Sequence, residues 1–184
     1  MKLMRIAIIA AIASVAWEAA GVAQPRVNPQ AQAIADFNQR VTAYFDLTKK
    51  LREGVPALRR TDDPAEIASR ELDFGNAIRA GRAGARPGDI FTSESARVFR
   101  RIIKHDFRQR RREGQKVVLD EIPHFHPKIN QTYPSEWALA TFPPTLLVEL
   151  PPLPEGLEYR LLSEALVLRD VRANIIVDFV LDVL

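Results

Sequence analysis

Apolar residues recur at spacings of three and four between residues 34 and 51. Ile34, Phe37, Val41, Tyr44, Thr48 and Leu51 fall on one stripe, while Asp36, Gln39, Arg40, Asp46, Lys49 and Lys50 fall mostly elsewhere. That periodicity predicts an amphipathic helix, which Gly54 and Pro56 end. At helical spacing the aromatic residues Phe37, Tyr44 and Phe45 read as core rather than as a ligand box. Asp62-Asp63-Pro64-Ala65-Glu66 is a helix start, with a capping carboxylate, proline at the first helical position and an acid in the first turn. The second helix is expected to run to about Ala80. Its stripe is Ile67, Leu72, Phe74 and Ile78, with the small residues Ala68 and Gly75 allowing close approach to a neighbour. A third helix is predicted from Thr92-Ser93-Glu94, with Val98, Phe99, Ile102, Ile103 and Phe107 on its buried side.

The pattern changes after Pro154. Leu157–Leu162, Ala165–Arg169 and Ile175–Val180 are rich in Leu, β-branched and aromatic residues and are separated by the polar breaks Ser163-Glu164 and Arg172-Ala173-Asn174. Leu157, Tyr159 and Leu161 alternate with Glu158 and Arg160. Ile175, Val177 and Phe179 alternate with Ile176, Asp178 and Val180, which predicts one clearly apolar face. Three short strands are marginal alone, so the fold class expected is α+β, three main helices covering a small C-terminal antiparallel three-stranded meander.

Between the helices and the meander the pattern is less regular. Residues 117–123 read as a strand or an extended connector. The 13 prolines gather at breaks between periodic segments, most densely in a connector over residues 123–156. There Pro143-Pro144 is expected to open a short helix from Thr145 to Leu150, and the crossing to lay Trp137, Leu146 and Leu147 on the core. A polyproline ligand for a partner is the competing reading of this stretch. Gly81 to Gly88 lacks the Gly-Lys-Ser/Thr ending of a phosphate loop and reads as a connector.

The N-terminus supplies an address. Lys2 and Arg5 precede an apolar run from Ile6 to Trp17, and Gly21-Val22-Ala23 places small residues where a signal peptidase reads them. Residues 1–23 are therefore expected to be a signal peptide cleaved after Ala23, and residues 24–184 a single mature domain. In that domain residues 24–122 would be mainly helical and 157–184 the meander. The apolar run is shorter than the ~20 residues a spanning helix needs, so no transmembrane segment is expected in the mature protein. There is no cysteine, hence no disulfide. Removing Lys2, Arg5 and Glu18 lowers the formal net charge from +3 to +2. So small an excess does not by itself imply a polyanion, and no nucleic-acid partner is expected.

Two clusters carry candidate chemistry. The third helix collects Arg97, Arg100, Arg101, Lys104, Arg108, Arg110, Arg111 and Arg112 against the single Asp106. Of these, Arg97, Arg100, Arg101, Lys104, Arg108 and Arg111 are the candidate contacts to an anionic partner such as lipid head groups. The competing expectation is internal neutralisation, because from Glu149 onward seven acids face only Arg160, Arg169 and Arg172. The second cluster is His124 and His126 around Phe125, with Glu121 upstream. In an extended segment both imidazoles point to one side, so they can reach one metal ion with Glu121 or Asp120 as an oxygen ligand. No other cofactor is implied. Ser93, Ser95, Ser135 and Ser163 lack a nucleophile elbow, and the three histidines suggest no acid–base partner by spacing. Asp62-Asp63 and Asp120-Glu121 read as a cap and a surface turn rather than as catalytic carboxylate pairs.

Val41-Thr42-Ala43-Tyr44, Gly88-Asp89-Ile90-Phe91, Asn130-Gln131-Thr132-Tyr133-Pro134, the run from Leu150 to Arg160 (LPPLPEGLEYR) and the run from Leu168 to Asp178 (LRDVRANIIVD) together resemble a family of exported bacterial proteins of uncharacterised function. Where that pattern leads one to expect a glycine before the second strand, this chain has Ser163-Glu164-Ala165. The resemblance implies export and brings no catalytic residue. The tail is also similar to that of small periplasmic proteins linked to nickel and cobalt homeostasis, over too short a stretch to transfer metal ligands. The function expected is an exported, non-enzymatic module binding a protein or an envelope component, with a metal-handling protein and a hydrolase as alternatives.

Overall fold

The computed structural model describes residues 28–56, 61–134 and 142–184. The expected signal peptide, Ser135 and Trp137 lie outside them. The elements in order are α1 (Pro29–Glu53), α2 (Pro64–Gly81), α3 (Ser93–Gln109), α4 (Arg112–Glu121), α5 (Pro144–Glu149), β1 (Leu157–Leu162), β2 (Ala165–Asp170) and β3 (Ile175–Val180). The fold is α+β, and its sheet is the antiparallel meander β1-β2-β3.

Local chemistry accounts for the helices. The side chain of Asn28 accepts from Gln30 N at 3.0 Å, and that of Asp63 from Ala65 N at 2.9 Å, each before a proline in the first turn. In α1 the buried residues are Ala33, Phe37, Val41, Tyr44 and Thr48, the predicted stripe, with Ile34 and Leu51 half-buried beside it. The α2 stripe is narrower than predicted. Phe74, Gly75 and Ile78 are buried while Ile67 and Leu72 are exposed, because only the second half of α2 meets the sheet region. A Cβ on Gly75 would stand 3.0 Å from Ala173 O, the close approach that a small residue allows.

One face of the sheet, carrying Leu157, Tyr159, Leu161, Leu166 and Leu168, joins a core with Phe37, Val41, Tyr44, Phe74, Ile78, Phe99 and Ile103 of the helices. Phe37, Phe91 and Phe99 form a ring cluster with centroids 4.8–5.1 Å apart, Phe37 stacked on Phe91 and Phe99 edge-on to Phe91. The other face is not open to water. Leu162, Val167 and Ile176 pack with Tyr133, Phe125 and Phe179 under the segment that follows α4. That segment is tied on by Asn130 N to Ile176 O (2.8 Å), Ile176 N to Gln131 O (2.8 Å) and Tyr133 N to Asn174 O (2.9 Å). The first part of the connector is therefore a cover for the second sheet face.

Four sequence expectations need correction. Residues 117–121 are helical. Glu113, Gln115 and Lys116 favour a helix, Gln115 Nε2 donates to Phe107 O at 2.8 Å, and Lys116 pairs with Asp120 one turn on. The basic helix does not run through Arg112: the backbone turns extended at Arg110 and Arg111, and α4 restarts at Arg112. The alternation in β3 breaks at Val177. Leu168 pairs with Asp178 and Arg169 with Ile176, so Val177 is a bulge that turns Asp178 and Val180 to the helical face and Phe179 to the other. In α5, Leu146 is buried but Leu147 is 56% exposed, since Leu146 and Leu150, one turn apart, occupy the inward side.

Candidate functional site

The outer side of α3 follows from its inner side. Thr92 caps the helix by accepting from Ser95 N at 3.4 Å, and Ala96, Phe99, Ile103 and Phe107 are held in the core. Burial of that side sends Arg97, Arg101, His105 and Arg108, at successive spacings of four, four and three, to the exposed side. Lys104 and Arg100 flank this stripe and are half-buried. From Arg97 to Arg108 the stripe is about 16 Å long at the helical rise. Arg111, exposed in the corner before α4, extends it.

Three of the seven acids expected to neutralise this face are engaged elsewhere. Glu158 pairs with Arg160, and with Arg169 at 2.9 Å; Asp170 pairs with Arg172 at 2.7 Å. Asp178 accepts backbone amides. Glu149, Glu155, Glu164 and Asp182 are exposed, and among the described residues none forms an ion pair with α3. Asp182 shares a shallow surface depression with Arg97 and Arg100 without pairing with either. Of the six candidate cations, Arg97 alone has a carboxylate partner among the described residues, Glu94 at 3.0 Å. Both ends of that pair are well exposed, so it offsets little. Ser93 and the helix amides help to hold the Glu94 carboxyl below its usual range. Arg100 Nε donates to Leu181 O at 2.8 Å and Arg101 to Gln30 Oε1 at 3.2 Å. Those acceptors are neutral: they orient the guanidinium groups and leave their charge in place.

Arg110 differs from its neighbours. It turns inward onto the buried Asp106 (2.7 Å) and donates to Thr145 Oγ1 (2.6 Å), which itself donates to Asp106. This cluster fastens α5 to the end of α3, and it takes Asp106 out of the basic face. The sequence signal was present, since Asp106 and Arg110 are one turn apart.

His124 and His126 are exposed, and the half-buried Phe125 between them packs against the second core cluster. Phe125 N donates to Ser163 Oγ at 2.8 Å and Ser163 N to Pro123 O at 2.8 Å, which clamps the segment to the β1–β2 hairpin. Both imidazoles are exposed and line a cavity of about 810 Å3 with Leu119, Ile122 and Leu181. Glu121, exposed at the end of α4, is not among its lining residues. Among the described residues no group of three or more His, Cys, Asp or Glu side chains is placed to hold a metal ion, so the pair lacks the further ligands such a site requires. His105 stands apart on α3.

The serines have structural partners. Ser93 Oγ donates to Glu94, the buried Ser95 Oγ to Thr92 O, and Ser163 Oγ to Phe125 O; none of the three hydrogen-bonds a histidine. Asp63 is a helix cap, as its sequence position suggested, whereas Asp120 and Glu121 end α4 rather than form a surface turn, with Asp120 paired to Lys116. Among the described residues no helix is long and apolar enough to cross a membrane. No protein-family model, curated protein or solved structure matches the chain.

Proposed function

We propose that the chain is an exported, non-enzymatic binding module that docks on an anionic component of the cell envelope through the outer side of α3. The observation that carries this reading is the lack of ion pairing: Arg100, Arg101, Lys104 and Arg108 on the outer side of α3, and Arg111 in the corner after it, have no carboxylate partner among the described residues. A row of cations in a domain of modest net charge attracts an anionic surface locally, without the strong overall field of a nucleic-acid binder. Export is supported by the basic and apolar character of residues 1–17, the small residues before position 24 and the resemblance of five segments to an exported family.

The test is a double charge reversal, Arg101→Glu with Arg108→Glu, compared with the parent in thermal melting and in binding to an anionic resin at low salt. Both side chains are exposed, so melting should stay within about 0.5 kcal/mol of the parent while retention is lost. A fall in melting temperature with unchanged retention would instead assign these arginines to the fold. Mass spectrometry of the exported protein beginning at Gln24 would check the address.

A further inference from the structure

We infer that the anionic component is the surface of a phospholipid bilayer, met jointly by Arg108 and Arg111 at the α3–α4 corner and by the apolar pair Leu147 and Val148 of α5. This rests on the basic-face reading above and adds an apolar contact to it. The second observation is the exposure of that pair. Leu147 is 56% and Val148 86% exposed, at the tip of a short helix whose inward positions are Leu146 and Leu150. The helix is held at the basic corner by Thr145, which bonds both Arg110 and Asp106. Val148 lies three residues after Thr145 on the exposed side of α5, away from Leu146 and Leu150. A soluble polyanion engages guanidinium groups and offers nothing to two aliphatic side chains. A bilayer offers both, phosphates at the headgroup level and an acyl boundary just beneath for exposed aliphatics. Glu149 follows Val148 and is exposed, so the apolar contact is shallow, with that carboxylate remaining on the water side.

The experiment uses the purified protein with three probes: vesicles of phosphatidylglycerol and phosphatidylcholine, vesicles of phosphatidylcholine alone, and inorganic polyphosphate. The parent should sediment with the anionic vesicles and not with the neutral ones. Leu147→Ser with Val148→Ser should bind anionic vesicles about tenfold more weakly and polyphosphate as the parent does, whereas Arg108→Glu with Arg111→Glu should lose both. Because the chain has no cysteine, Val148→Cys carrying a polarity-sensitive dye gives an independent reading. Its emission should shift to the blue with anionic vesicles and stay unchanged with polyphosphate. If the serine variant binds vesicles like the parent and the dye does not shift, the partner is a soluble or purely electrostatic polyanion and the bilayer inference fails while the basic face stands. If the parent binds none of the probes, both readings fail.

Discussion

The hydroxyl of Tyr44 in α1 donates to Asp170 Oδ2 at the end of β2, 3.0 Å away and 126 residues further along the chain. Asp170 is fully buried and also receives three bonds from Arg172, whose Nη2 reaches Thr48 Oγ1 one turn beyond Tyr44. Burial, then the neighbouring Asp170 charge, pushes the Tyr44 phenol well above its ordinary value, so it stays a donor across the accessible pH range. Tyr44→Phe keeps the ring and removes that donor. It should lower the unfolding free energy by about 1 to 2 kcal/mol in urea denaturation, since Asp170 keeps its arginine. An unchanged midpoint would show that α1 is held to the sheet by its apolar stripe alone.

Asp178 performs the same service for the loop before α3. The bulge at Val177 turns its carboxylate to the helical face, where it accepts from the backbone amides of Gly88 (3.0 Å), Ile90 (2.7 Å) and Phe91 (2.9 Å). Asp178→Ala leaves three loop amides without their acceptor and should cost about 2 to 4 kcal/mol, with amide exchange at Ile90 and Phe91 accelerated. Asp178→Asn retains one acceptor oxygen and should fall between the two. Equal loss in both variants would mean that the charge, not the acceptor geometry, holds the loop.

His124 and His126 line one cavity, yet no third protein ligand joins them among the described residues. Two exposed imidazoles without a third ligand bind a divalent ion weakly. The parent and the His124→Ala, His126→Ala double variant should therefore melt at the same temperature with and without added nickel or zinc. A gain in the parent that the double variant loses would restore the metal reading and call for a search for the missing ligand.

Much of the fold was legible because its signals are local. Caps at Asp63 and Thr92, the three-four stripe of α1 and the alternation of β1 each follow from neighbours in sequence. What escaped depends on distant partners. Val117 and Val118 suggest a strand, and only the contacts of Gln115 with Phe107 and Arg110 and the pair Lys116–Asp120 make the helix win. The bulge at Val177 cannot be read from an alternating pattern, though it decides which face Asp178 takes. Among the described residues no acid from Glu149 onward forms an ion pair with α3, and counting charges cannot show why. Glu158 and Asp170 are engaged by arginines of the sheet, and Asp178 by amides of the loop before α3. The motifs behind the family resemblance have a similar outcome. Tyr44, Gly88, Ile90, Phe91, Asn130, Tyr133, Gly156, Asp170, Asn174 and Asp178 are joined by hydrogen bonds around β2 and β3. Those segments hold the sheet to the helices and loops packed on it.

The second sheet face gives a pH dependence of definite sign. Glu158 lies between Arg160 and Arg169; burial pushes its carboxyl up, but the bonds and charges of the two guanidinium groups outweigh burial and hold it below the usual glutamate value. A carboxyl depressed in the folded state contributes stability that is present above its unfolded value, about 4.3, and lost as pH falls through the lower folded value. Asp178 acts in the opposite sense: burial, opposed by the amides of Phe91, Gly88, Ile90 and Phe179, leaves its carboxyl raised, so its contribution declines as pH rises through that raised value. The two effects overlap in a melt of the parent alone. The difference between the parent and Glu158→Gln isolates the first, because Asp178 is common to both. At pH 7 the variant should be less stable by about 1 kcal/mol, a modest figure because the glutamate side chain is 24% exposed. The gap should narrow below pH 4.3 and close once Glu158 is protonated in both states. A gap that stays constant from pH 7 to pH 3 would show that Glu158 stabilises the sheet by its shape and neutral hydrogen bonds rather than by its charge.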